Sequence, residues 1–247
     1  MSAHGDRELE YHERLYAGFA QRHFAKPAVR ALRAHLAARI LKVSGAGERS
    51  RVLSLGCGIG DTELLLAPRV ASLLGVDLSP AAVRQARADG AAFPNAEFRE
   101  GTVESVDGRF DLILAVFFLH HLPTSAHIAA AAHIRGILAP GGVFYSLDPS
   151  RYRLSGAVGN LLFPKLMQKY QSPDERPLDP AKTVRMFREA GFACRAGYYD
   201  FLSSPLAGLF PSWRSGYAAA RAADEILTRM PLLRRLGSNL EIVARLA

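Results

Sequence analysis

Residues 51–66 read RVLSLGCGIGDTELLL, a short apolar run followed by three glycines at every second position. Val52, Leu53 and Leu55 have the continuous apolar character of a buried parallel strand, and the segment after Gly60 is helix-like, so the stretch is a strand–turn–helix junction. Glycine in that turn permits a sharp change of direction and lets a ligand approach bare backbone. The spacing is Gly56-x-Gly58-x-Gly60, with Asp61 where a dinucleotide fingerprint places its last glycine. Dinucleotide sites rest a pyrophosphate on the helix N-terminus, whose free N–H groups and positive dipole end attract an anion. Asp61 opens the helix here, a residue suited to capping and unsuited to a neighbouring diphosphate.

Outward from this junction the hydrophobic period alternates. Strands are expected at 51–55, 71–76, 96–100, 110–115 and 143–148, with helices near 60–66, at 80–89 and at 124–138. Ser79-Pro80 caps and opens the helix at 80–89, and Pro140-Gly141-Gly142 is the stop signal of the helix at 124–138. Such alternation predicts an α/β fold, a doubly wound and mainly parallel sheet whose ligands sit beyond the carboxyl ends of the strands. Two amphipathic helices at 7–24 and 27–43 form a leader, the second carrying Val29, Leu32, Leu36, Ile40 and Val43 at steps of three and four. After 148 come an irregular stretch with aromatics, a helix at 180–190, a strand at 192–200, an inserted loop and helix, and a last strand, NLEIVARLA. Insertions near strand ends are natural material for a substrate pocket.

At 247 residues one large domain is enough, and 49% hydrophobic with 22% charged residues is ordinary for a globular chain. No stretch approaches the roughly 18 uninterrupted apolar residues of a membrane span, and the polar start does not resemble a signal peptide, so a cytoplasmic location is expected. Two cysteines, one inside the glycine turn, argue against a disulfide framework, and no His, Cys or carboxylate spacing makes a convincing metal site. The net charge of +8 comes from 26 Arg and 5 Lys spread through helical segments, a pattern as compatible with coding bias as with an anionic partner.

The ligand that fits a bare turn followed by an acid is one without phosphate and with a positive sulfonium, S-adenosylmethionine; a purely structural turn is the other reading. Asp77 stands 21 residues beyond Gly56, where a carboxylate can accept from both ribose hydroxyls, or else simply precede the helix at Ser79-Pro80. With VLSLGCGIG (52–60), LLGVDLSP (73–80), FDLILAVFFLHHL (110–122) and ILAPGGVFYSLDP (137–149) in this order, the chain resembles the class I S-adenosylmethionine-dependent methyltransferases, in their small-molecule branch. The resemblance covers 51 to about 150. It implies a Rossmann-like single domain, with 1–50 as leader, 51–150 as cofactor-binding core and 151–247 as substrate-side insertions and final strands.

The resemblance further implies that Gly56, Cys57, Gly58 and Gly60 wrap the methionine part of the cofactor and Asp77 holds its ribose. Leu78 would lie against adenine, with Thr102, Val103 and Glu104 at the adenine edge. Ala115 and Val116 would present backbone to the methionine amine, and Tyr11 and Tyr16 of the leader would close over the site. Two positions depart from the family pattern: an acid usual at Ser54 and an Asp frequent at Thr102 are both hydroxyls here, which accept a hydrogen bond without a full charge. Phe117 to His121 begin the acceptor side. His120 and His121 are the candidate catalytic bases, against the simpler reading that His121 bonds across the fold while His120 faces outward. His127 and His133 read as surface or packing residues. Tyr152, Tyr170, Tyr198 and the Phe210/Trp213 segment could line an aromatic acceptor pocket.

The expected activity is methyl transfer to O, N or C of a small, apolar or aromatic, lipid-like metabolite, leaving S-adenosylhomocysteine. A cofactor-binding but non-catalytic module and an RNA methyltransferase are the alternatives. AVFF at 115–118 replaces the Asn/Asp-Pro-Pro-Tyr/Phe sequence of exocyclic-amine methylases, and no Pro-Cys nucleophile is present, so nucleic-acid bases are disfavoured. The expected assembly is a monomer or homodimer.

Overall fold

A computed structural model describes residues 9, 10, 13, 16, 23–162 and 175–247. Seven strands form one sheet in the order β3-β2-β1-β4-β5-β7-β6: β1 (Arg51–Leu55), β2 (Ser72–Asp77), β3 (Ala96–Glu100), β4 (Phe110–Val116), β5 (Leu138–Pro149), β6 (Phe192–Tyr198) and β7 (Asn239–Leu246). The first five pair in parallel, and β7 alone runs against its neighbours on both sides. The expected doubly wound, mainly parallel sheet is therefore present.

Helix α1 (Pro27–Ser44) has proline in its first turn and ends on Gly45 in the left-handed region, whose N–H returns to the Leu41 carbonyl. Its apolar stripe, Val29, Leu32, Leu36 and Ile40, packs on the sheet face that displays Leu112, Leu114 and Tyr145. The opposite face, with Ile113, Ala115 and Phe144, is covered by α4 (Thr124–Ile137) and α6 (Pro180–Glu189). Adjacent residues of β4 thus serve opposite layers, as the two-residue period of a strand requires. Between them in the chain lie α2 (Glu63–Leu66) and α3 (Pro80–Gly90), and α5 (Leu154–Leu162) follows β5. Ser79 caps α3 by accepting from the Ala82 N–H.

Three differences from expectation have local causes. Helix α2 starts at Glu63, later than Asp61, because Asp61 is drawn into an ion pair with Arg33 of α1, Nε to Oδ2 2.7 Å, instead of capping. Strand β5 begins at Leu138, before the Pro-Gly-Gly signal: Leu138 pairs with Phe110, the ladder shifts register, and pairing resumes at Val143 opposite Leu112. The C-terminal insertion is two helices, α7 (Ser203–Leu209) and α8 (Arg214–Leu227). It braces α1 through the Pro211 carbonyl, which accepts from the Ala28 N–H at 2.8 Å, and just after β6 the Tyr199 hydroxyl lies 2.7 Å from His35 Nδ1 of α1. Among the described residues no helix is long and apolar enough to cross a membrane.

Candidate active site

A cavity of about 380 Å³ lies at the carboxyl edge of the sheet, where strand order reverses between β1 and β4; small-molecule sites span roughly 300–1,000 Å³. Residues following β1, β2, β3 and β4 line it, together with the start of α4 and Leu9 and Tyr16 of the leader. Its chemistry is set by Asp77 at the end of β2. Oδ2 accepts the Gly58 N–H at 2.8 Å and Oδ1 the Ser79 N–H at 2.9 Å. A carboxylate oxygen has a second lone pair, so a group anchored by two amides still offers two acceptors to the cavity it lines.

The three glycines turn out to have three different reasons. Gly56 lines the cavity at φ +67°, and a Cβ there would lie 2.3 Å from the Phe118 ring. Gly58 donates its amide to Asp77 and is roofed by the Tyr16 hydroxyl, 2.6 Å from where a Cβ would stand. Gly60, at φ +76°, is bare because the Phe98 ring of β3 packs 3.0 Å from that point. Cys57 is buried, its thiol pushed up by desolvation, and packs beside Gly75 away from the cavity wall. Burial also raises the Tyr16 hydroxyl well above its ordinary value, with Asp77 and Asp61 adding to the effect.

A compensating acid stands near Ser54 that spacing does not reveal. Ser54 Oγ donates to Glu63 Oε1 at 2.6 Å, both residues buried beside the glycine turn. Desolvation, then Asp61 nearby, raises the Glu63 carboxyl to about 7. Glu13 of the leader is a second residue missed from sequence. Its Oε1 accepts from the Ser79 hydroxyl and from the Ala81 N–H at 2.9 Å, seating a carboxylate on the N-terminus of α3. Those bonds hold its pKa below the ordinary value.

Leu78, Thr102, Val103 and Glu104 line the cavity, as do Phe117, Phe118 and His121. Phe117 adopts φ +54°, a conformation that costs a side-chain-bearing residue about 1 kcal/mol or more and is held by its N–H to the Leu147 carbonyl at 2.7 Å. Ala115 and Val116, at the end of β4, are not among the residues that line the cavity. The two histidines exchange the places of the simpler reading: His120 is buried, its Nδ1 2.8 Å from Asp148 Oδ1 and its Nε2 3.8 Å from Glu175, whereas His121 reaches the cavity. Their rings are in contact, centroids 4.0 Å apart and planes tilted by 41°. His127 and His133 each bond a loop carbonyl, of Leu119 and Val106. Tyr152, Phe210 and Trp213 are exposed and outside the cavity wall, and Tyr198, half-buried at the end of β6, is outside it too. Tyr11 and Tyr170 lie outside the described residues.

The donor set suits an adenosine ligand lacking phosphate. Asp77, Asp61 and Glu63 surround the turn, and α2 is too short to offer a dipole to a diphosphate. Residues 52–142 match a protein family described as a methyltransferase domain. The chain is similar to a ubiquinone biosynthesis O-methyltransferase of Acinetobacter baylyi, 30% identical over 151 residues that make up 57% of this chain and 62% of that protein. It is also similar to a trans-aconitate 2-methyltransferase of Deinococcus radiodurans, 34% identical over 118 residues, 45% of this chain and 44% of that protein. The alignments thus span less than two thirds of either relative. Among solved structures, the complex of DhpI with SAH superposes with a TM-score of 0.64 at 18% identity, covering 100% of this chain and 99% of the other. At that identity the likeness establishes the fold.

Proposed function

We propose that the chain is a class I methyltransferase, a reading supported by the methyltransferase-domain match over residues 52–142, and that it transfers a methyl group from S-adenosylmethionine to O, N or C of a small, apolar or aromatic acceptor. The observation that carries this reading is Asp77, anchored by the Gly58 and Ser79 amides in the wall of an otherwise largely apolar cavity. When bound, the cofactor supplies an activated methyl group on a sulfonium that leaves as a neutral thioether.

The chain's own residues then do the rest. Asp77 holds the ribose hydroxyls, Leu78, Thr102, Val103 and Glu104 enclose the adenine, and Gly56 and Gly58 give the turn its close approach. Tyr16, Phe117 and Phe118 exclude water, which favours a displacement that depends on orientation and a dry cavity. His121 is the imidazole on the wall and the group placed to take a proton from an acceptor that must lose one. His120 is a positioning residue, held by Asp148 and supporting the His121 ring from behind.

The test is transfer of label from methyl-tritiated S-adenosylmethionine into a cell extract. Label in the small-molecule fraction, lost with Asp77→Ala, is the expected result. Label confined to nuclease-sensitive polymer, or no transfer by a protein that binds the cofactor, would overturn the reading.

A further inference from the structure

Among the described residues outside the cavity, the longest exposed apolar run lies where α8 ends. Ile226, Leu232, Leu233 and Leu236 are exposed, Leu232 at 84%, and Arg229, Arg234 and Arg235 alternate with them. From Ile226 to Ser238 the chain carries no acidic residue. The first turn of α5 is pinned alongside, Ser155 Oγ lying 2.7 Å from Ser238 Oγ, and α5 adds Leu161, 80% exposed, again without an acid. Tyr198 joins the two stretches, within electrostatic reach of Arg234, Arg235, Tyr152 and Asp179. Asp179 is already engaged: it accepts from the Tyr152 hydroxyl at 3.0 Å and caps α6.

We infer that this face docks on an anionic lipid bilayer, with the leucines entering the headgroup boundary and the arginines pairing with lipid phosphates. Several exposed leucines gathered at one edge of a globular chain call for an occupant, and the charge around them selects one. Exposed leucines that alternate along the chain with Arg229, Arg234 and Arg235 suit a negatively charged interface. A symmetric second copy would bring the arginines against one another, like charges that cost free energy when desolvated. Position agrees with the choice. Asn239 pairs with Pro149, so the face lies at the carboxyl end of β5, the same edge of the sheet at which the cavity opens. An apolar molecule residing in a bilayer would therefore meet the protein on its cavity side. The docking surface itself does not depend on the methyl-transfer reading.

Flotation of the full chain with phosphatidylcholine vesicles, with and without phosphatidylglycerol, tests this. The wild type is expected to float with the anionic vesicles only, and to be released by high salt. Removing two of the three arginines, Arg234→Gln with Arg235→Gln, is expected to weaken binding roughly thirty-fold. Leu232→Ser with Leu233→Ser is expected to weaken it roughly ten-fold or more at an unchanged melting temperature, since both side chains are exposed in the free protein. No flotation with anionic vesicles, or equal flotation by either double variant, overturns the inference. So does a dimer in sedimentation that dissociates on the leucine substitutions while vesicles are ignored, which would assign the face to a second copy.

Discussion

Replacing Glu63 by glutamine should make the protein more stable, and only above acid pH. Glu63 is 3% exposed, and its Oε1 accepts from Ser54 at 2.6 Å, a bond that the glutamine carbonyl oxygen reproduces. Burial, aided by Asp61, raises its carboxyl from 4.5 to about 7. The folded state therefore keeps a proton that the unfolded chain releases. Between the two values the folded state binds more protons, so stability falls as pH rises through this window and the loss is complete above the folded value. At about 1.4 kcal/mol per unit, the interval from 4.5 to about 7 amounts to roughly 3 kcal/mol. Glutamine carries no such proton. Urea unfolding of wild type and Glu63→Gln, followed by circular dichroism from about pH 4 to about pH 8, should show matching midpoints in acid and a growing advantage of the variant toward neutrality. A difference that stays constant with pH, or a variant less stable near pH 8, would refute the reasoning that Glu63 is held against its tendency to ionise.

Further outcomes follow from neighbouring contacts. Gly60→Ala places a Cβ 3.0 Å from the Phe98 ring at φ +76°, and should cost about 2 kcal/mol in urea unfolding; no loss would contradict a packing role for this glycine. His120→Leu strips the buried Asp148 of its imidazole donor and should cost about 3 kcal/mol, whereas His121→Ala at the cavity wall should cost under about 0.5 kcal/mol; equal losses would contradict the division between them. Glu13, with its pKa held low, contributes stability above the ordinary carboxylate pKa, and that contribution is lost as pH falls through the folded value. Glu13→Gln should accordingly speed proteolytic cleavage before residue 27 at neutral pH, a difference that vanishes in acid; identical cleavage rates at neutral pH would show that Glu13 does not anchor the leader.

The order of strands was legible because each is a local apolar run, and the turn at Gly56 to Gly60 because glycine spacing records backbone geometry directly. Asp77 was legible for the same reason: a fixed distance along the chain puts it at the end of the next parallel strand. What sequence could not supply were contacts made across the fold. Ser54 bonds to Glu63 nine residues on, Asp61 to Arg33, and Glu13 to Ser79, and no periodicity ties these pairs together. The histidines fail differently. His120 and His121 lie in a short 3-10 turn, Leu119–His121, whose geometry and not any strand or helix period decides which ring enters the cavity. The C-terminal insertion suggested pocket material, yet α7 and α8 spend their apolar faces on α1, and the aromatics at 210 and 213 remain outside.

The most direct test is calorimetric titration of the wild type and Asp77→Ala with S-adenosylhomocysteine. Loss of two charge-assisted hydrogen bonds, about 1.5 kcal/mol each, should weaken binding roughly hundred-fold. Affinity left unchanged by the substitution, or binding of a nicotinamide dinucleotide in place of S-adenosylhomocysteine, would contradict the account.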